Sequence, residues 1–177
     1  MSGDGKSANE QLAALVSSRH QFDVTRRDAG ASGRTWPGLL MRLGQRWCGL
    51  RAESVREVVS VEPIARVPSQ PHYLLGVMLV HSRIVPVLEM SRYMDDEDMA
   101  LESSPPRRMV IVASGDVEVG VLADDAKGVI DLPGEIANKP GGTGDSLVLG
   151  EVHWGDDLVC LLDDKRLVNA VLGAGSA

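Results

Sequence analysis

The side chains best suited to chemistry are scattered along this chain. Four histidines (His20, His72, His81, His153) and two cysteines (Cys48, Cys160) are spread over 177 residues. No two histidines have the i, i+4 spacing that sets a metal-binding pair on one helical face, and neither cysteine has a partner two or three residues away, so no metal site is expected. Lys139-Pro-Gly-Gly-Thr-Gly-Asp145 has the glycines of a phosphate loop but lacks the Gly-Lys-Ser/Thr ending. It also leads into a strand rather than a helix whose N-terminus would hold a phosphate, and is expected to be a flexible loop. No serine stands in a Gly-x-Ser-x-Gly elbow, and no Cys and His share a local context that would activate a nucleophile. The carboxylates sit in turns and in one acidic stretch, where solvation accounts for them. No catalytic residue, cofactor or enzymatic activity is expected.

The elements that must position whatever the chain does carry are legible as a repeat. Gly76-Val-Met-Leu-Val-His-Ser-Arg-Ile-Val-Pro-Val-Leu-Glu89 returns, without a gap, as Gly150-Glu-Val-His-Trp-Gly-Asp-Asp-Leu-Val-Cys-Leu-Leu-Asp163, at a constant offset of 74 residues. In each copy a glycine opens an apolar strand, a polar turn follows, and a second apolar run ends in an acid able to cap a helix. An earlier pair matches as well: 40–50, turning at Gly44-Gln45, and 110–121, turning at Ser114-Gly115-Asp116. Two hairpins per half with short connections predict two small barrels on one plan.

Strands are expected at about 38–43, 46–51, 57–61, 74–80 and 83–88, then a short helical turn through Ser91 and Tyr93. Pro63, Pro68 and Pro71 punctuate the connection before residue 74. The second half gives strands at about 108–113, 117–122, 128–132, 147–153 and 158–162, and a final helix from Asp163 to about Leu172, stopped by Gly173. The domain division is a mobile extension over 1–35 and one body over 36–177. Within the body lie a first barrel at about 36–94, an exposed acidic linker at about 95–106, and a second barrel with its terminal helix at about 107–173.

Composition narrows the partners. The chain is 44% hydrophobic but only 3% aromatic, so its core must be Val, Leu, Ile, Met and Ala. Its net charge is −7, with the acidic excess in the body. Such a surface is a poor match for nucleic-acid phosphates. No run is long enough to span a bilayer and no export signal is visible, so a soluble, reduced, cytoplasmic protein with both cysteines buried is expected.

The string Val55-Arg-Glu-Val58, Val67-Pro68, Pro71-His-Tyr-Leu-Leu-Gly76-Val and Ile84-Val-Pro86-Val-Leu-Glu-Met90 resembles the CheW-like family of chemotaxis coupling proteins. The second half continues the match at Gly120-Val121, Val129 and Leu149-Gly150, so the likeness covers about residues 36–173. It implies a mainly β fold of two five-stranded SH3-like barrels with a C-terminal helix. It also implies a non-catalytic adapter in the cytoplasm, recruited to receptor arrays, whose partners are the regulatory domain of a CheA-type histidine kinase and the cytoplasmic tips of chemoreceptors.

Carried across by position, the partner-binding residues are Val55, Glu57, Val58, Gly76, His81, Ser82 and Arg83. Glu57 either shares the side of Val59 and Val61 or, if the strand starts at Val58, is an ordinary surface acid. Where the family usually reads Asn-Leu-Arg-Gly, this chain has Leu79-Val-His-Ser82 and then Arg83. A one-residue shift turns a side chain to the other face, and Ser82 is ill-suited to positive φ, so an altered turn and divergent receptor coupling are expected. The alternatives are an accessory adapter that binds the kinase only, a small-molecule-binding double barrel, and a hydrolase using His81 and nearby acids.

Overall fold

A computed structural model describes residues 34–102, 108–136 and 147–174. The expected N-terminal extension as far as residue 33, the end of the linker at 103–107 and the glycine-rich stretch 139–145 lie outside the described residues. Ten strands run in order: β1 (Thr35–Leu43), β2 (Arg46–Arg51), β3 (Val55–Ser60), β4 (Leu74–Val80), β5 (Arg83–Leu88), β6 (Arg108–Ser114), β7 (Val117–Ala123), β8 (Asp125–Pro133), β9 (Val148–Trp154) and β10 (Asp157–Leu162). Helix α1 (Met90–Met94) follows β5, and α2 (Asp164–Ala174) follows β10. Asp163 caps α2 as its position predicts, accepting from the amides of Lys165 at 3.0 Å and Arg166 at 3.2 Å. Glu89, its counterpart before α1, makes no such bond and instead pairs with Arg92 Nε at 2.7 Å. Gly173 does not stop α2, which runs one residue past it.

The strands form two five-stranded sheets, in the orders β8-β1-β2-β10-β9 and β3-β6-β7-β5-β4. Each sheet joins two antiparallel hairpins through one parallel contact, β2 with β10 in the first and β5 with β7 in the second. The sequence division does not follow the sheets. The opening hairpin of each half lies in the sheet built from the other half's remaining three strands, so the two barrels exchange hairpins. In the first sheet the marginal strands β8 and β9 come together. In the second, the chain after β3 swings round to β4, where Ala65 and Val77 exchange two hydrogen bonds of 2.8 Å.

Alternation then sorts the apolar side chains into three clusters. Leu40, Leu132, Val152, Val159 and Leu161 fill the first barrel. Met78, Val85, Val87, Met109, Ile111 and Leu122 fill the second. The opposite faces, among them Leu39, Met41, Val110, Val121 and Leu162, meet between the sheets and take in Leu167 and Val168 of α2.

The chain changes sheets at two short crossings, after β2 and after β7. The buried polar residues Ser54 and Asp124 sit at them, and the third, Asp164, is tied to the first. Ser54 Oγ donates to the Arg51 carbonyl at 2.7 Å, while Arg51 donates through Nη2 (2.5 Å) and Nε (3.2 Å) to Asp164 Oδ1, which raises the Arg51 pKa further. Asp124 accepts the Gly44 amide at 2.8 Å and donates its own amide to the Arg42 carbonyl at 2.9 Å.

The acidic stretch is not an exposed linker throughout. Met99 is 2% exposed within the central cluster, and the Asp98 carbonyl accepts the Gln45 amide at 2.8 Å. Arg46 lies 3.2 Å from both Asp96 and Asp98, and Arg42 lies 2.6 Å from Glu102. The acids face the solvent and the β1–β2 turn, and Met99, with the partly buried Leu101, anchors the segment.

Replacing Asp124 by Ala strips a buried amide of its acceptor, which costs about 1.5–3 kcal/mol for a bond to a charged group. Thermal unfolding should shift down by roughly 3–12 °C for a chain of this size, and Asp124→Asn, which keeps an acceptor, should lose less. Equal melting temperatures for Asp124→Ala and the parent would show that the crossing does not depend on this carboxylate.

Candidate functional site

The β4–β5 hairpin and the neighbouring ends of β3 and β7 bring charged and apolar groups together at one end of the second barrel. Strand β3 begins at Val55, so Glu57 is a strand residue. A bulge between Val55 and Glu57 lets Val55 and Val58 both pack on the central cluster, while Glu57 pairs with Ile111 and Val59 with Met109. Directly paired residues project to the same side, and Ile111 and Met109 are interior, so Glu57 projects toward the barrel interior at its rim. Arg83 pairs with interior Val80, and Glu118 alternates with interior Leu122, so both reach the same rim.

There the Arg83 guanidinium bridges the two acids, with Nη2 donating to Glu57 and Nη1 to Glu118. Arg56 Nε stands 3.9 Å from Glu118 Oε1, and His81 Nδ1 stands 3.3 Å from Glu57 Oε2. The Glu57 and Glu118 side chains are only 26% and 18% exposed. Pairs this close to solvent contribute about 0–1 kcal/mol each, so the cluster fixes orientation more than it stabilises the fold. Two guanidiniums against two carboxylates leave it electrically balanced with His81 neutral.

Outside the barrel the same hairpin carries an apolar strip. Val77 pairs with Pro86 and Leu79 with Ile84, and Leu79 and Ile84 are 66% and 72% exposed. The ladder between β5 and β7 covers only Val87 and Leu88, so the outer part of β5, with Pro86 lacking a backbone donor, is free of a β7 partner. A cross-strand apolar pair left in water beside an ordered charge cluster is suited to docking another protein.

The expected site residues separate into two groups. Glu57, His81, Ser82 and Arg83 gather at the barrel end. Val55 and Val58 are partly buried core residues, and Gly76 is buried with φ +143°. A Cβ there would lie 2.1 Å from the Ala65 carbonyl oxygen, so Gly76 serves the bridge between residue 65 and β4. His81 and Ser82 have φ of +45° and +69°, as a two-residue hairpin loop of the type I′ kind requires. Ser82 thus takes the positive φ to which it is ill-suited, and the cost is carried as strain. Glu118, Arg56, Leu79 and Ile84 were not expected at the site. In Gly76-Val-Met-Leu-Val80 every residue after the glycine is apolar, which hides the alternation that turns Leu79 outward.

Cys48 and Cys160 lie opposite one another on β2 and β10 and are 0% and 4% exposed, as their apolar surroundings predict. Their mutual hydrogen bond raises the Cys48 thiol and lowers that of Cys160, while burial raises both. Among the described residues no three His, Cys, Asp or Glu side chains converge as a metal site, and no helix is long and apolar enough to cross a membrane.

Two hairpin-exchanged barrels are filled by their own side chains, and a charge-flanked apolar strip lies at one end of the second. The chain belongs to the CheW-like domain family, matched over residues 37–172, a family of non-catalytic adapters. It is similar to the chemotaxis protein CheW of Treponema pallidum, 25% identical over 135 residues that span 73% of this chain and 79% of that protein. The CheW of Bacillus subtilis is 32% identical over 95 residues, 51% of this chain and 60% of that protein. The fold matches the crystal structure of the scaffolding protein TtCheW from Thermoanaerobacter tengcongensis with a TM-score of 0.64, at 21% identity, covering 73% of this chain and 90% of that one.

A left-handed non-glycine residue costs about 1–2 kcal/mol, and glycine returns part of this as lost chain entropy. Ser82→Gly should therefore raise the melting temperature by about 2–4 °C, read by calorimetry, and a decrease would mean that the hydroxyl is needed. A thiol reagent should label neither Cys48 nor Cys160 in the native protein and both in denaturant. Fast labelling of native protein would contradict their burial.

Proposed function

We propose that this protein is a chemotaxis adapter that couples receptor tips to a CheA-type histidine kinase. The observation that carries the proposal is the exposed Leu79–Ile84 pair, held on a paired hairpin beside the Glu57–Arg83–Glu118 cluster. In this reading the kinase regulatory domain covers the apolar strip, which supplies affinity, and the charged rim sets orientation.

Receptor coupling is proposed to run through the same rim. At the family's arginine position stands His81, within 3.3 Å of Glu57, and Arg83 two residues on reaches the same carboxylate. A positive charge therefore still meets Glu57 despite the changed sequence. This favours a working coupler over an accessory adapter that binds the kinase alone. The filled barrel interiors weigh against a ligand held inside either barrel.

The test is calorimetric binding of the full chain to the regulatory domain of its cognate kinase, with and without a receptor-tip fragment. Leu79→Ser with Ile84→Ser should weaken kinase binding by about tenfold or more, the equivalent of about 1.4 kcal/mol of lost apolar burial. Arg83→Ala with His81→Ala should weaken receptor-tip binding in the ternary complex while melting stays within a few degrees of the parent. Parent-like binding by the apolar double variant would sink the kinase face. Parent-like receptor binding by the charge variant would sink the rim.

A further inference from the structure

The connection between β3 and β4 and the helix α1 enclose a second feature, lined by residues other than those of the docking strip. A cleft of about 440 Å³ opens beneath the 64–72 segment, with Ile64, Leu74 and Leu75 as its apolar wall and Arg66, His72 and Arg92 among its polar lining. Among the described residues no carboxylate lines it. In a chain of net charge −7 the cleft is lined by two guanidiniums and an imidazole; Glu89 balances Arg92 from outside the lining, and Arg66 leaves the corner positive.

The two arginines differ in how they are held. Arg92 is fixed: its Nε donates to Glu89 Oε2 at 2.7 Å, and its Nη1 reaches the His72 carbonyl at 3.4 Å. The His72 ring closes the same corner, with Nε2 3.2 Å from the Arg92 carbonyl and the ring edge-on to Tyr73 at 5.7 Å between centroids. Three of the five Arg92 N–H donors thus remain uncommitted, on a preset fork. Among the described residues the Arg66 side chain makes no ion pair, although its neighbour Ala65 is locked to β4 by two backbone bonds. A fixed fork and an unpaired second fork over an apolar wall are complementary to an oxyanion on a short apolar body, because paired guanidinium–oxyanion bonds are strong and directional.

We propose that this cleft binds a small organic anion, its oxyanion head between Arg66 and Arg92 and its apolar body against Ile64, Leu74 and Leu75. The site lies at the edge of the second barrel, where Ile64 and Leu75 pack on its interior cluster, and it uses none of the residues of the charged rim. Its occupation would stiffen the 64–72 segment, whose bridge at Ala65 closes the second barrel against β4.

The test is an NMR titration of the full chain with three probes: benzoate, inorganic phosphate, and benzyl alcohol as the uncharged counterpart of benzoate. Benzoate should bind saturably at millimolar concentration, with shifts centred on residues 64–75 and 92. Phosphate should move the same arginines more weakly, and benzyl alcohol should not saturate. Arg66→Gln should weaken benzoate binding by about fivefold or more, and Arg66→Gln with Arg92→Gln should abolish it, since each removes a charge-assisted pair. Unchanged melting of Arg66→Gln would separate the loss from a folding defect. The proposal is overturned if neither anion gives saturable shifts, if benzyl alcohol binds as well as benzoate, or if the double variant binds as the parent does.

Discussion

The structure depends on the exchange of hairpins between its two halves, and the exchange depends on buried hydrogen bonds at its crossings. A hairpin can be moved from one barrel to another by an equivalent surface match, so apolar packing alone leaves the choice open. The crossings remove that freedom. Asp124 takes the Gly44 amide and gives its own to Arg42, which ties the start of β8 to the β1–β2 turn; Arg51, at the end of β2, is held by Asp164 at the start of α2. An arrangement that kept either carboxylate buried without its partner would cost several kcal/mol. The buried polar groups therefore favour this topology, and the three apolar clusters supply the stability.

The same duplication shows how differently the two barrel ends are built. By the 74-residue offset, Val80 corresponds to Trp154 and Arg83 to Asp157. In the second barrel Arg83 gathers Glu57 and Glu118 over the interior. In the first, Trp154 packs edge-on against Trp47 at 6.4 Å, and Lys127 lies 5.7 Å from the Trp47 ring centre. An aromatic lid and an ionic lid both exclude water from an apolar interior, but they offer different partners. Ile84 and its counterpart Leu158 are both exposed, at 72% and 45%, so each barrel keeps an outward apolar residue at the equivalent place.

Most of the fold was legible because period and repeat are local signals. The ten strands fall where alternating or continuous apolar runs predict them, and the repeat indicates two barrels. What the sequence could not carry was partnership. Hairpins 40–50 and 110–121 look the same whichever barrel receives them, so the exchange is invisible without the crossings. Gly76 was legible as special but for the wrong reason: a glycine in a strand signals either a contact surface or a close backbone approach, and the Ala65 carbonyl makes it the second. The exposed Leu79 was hidden for a related reason. A continuous apolar run does not say which alternate residues the barrel will bury. Met99 was missed because one methionine among acids has no periodicity.

The turn at His81-Ser82 shows how register sets the place of a charged side chain. The register of β4 against β5 is set by the apolar residues inside the barrel, Met78 with Val85 and Val80 across from Arg83. With that register fixed, both loop residues take positive φ, and the strain of about 1–2 kcal/mol for a non-glycine residue is small against the burial that sets the register. The loop side chains then inherit positions chosen by the barrel. His81 leans on Glu57 from the loop, and Arg83, the first residue past it, falls on the interior side and reaches Glu57 and Glu118 together. A positive group opposite Glu57 is thus a consequence of register rather than of the loop sequence.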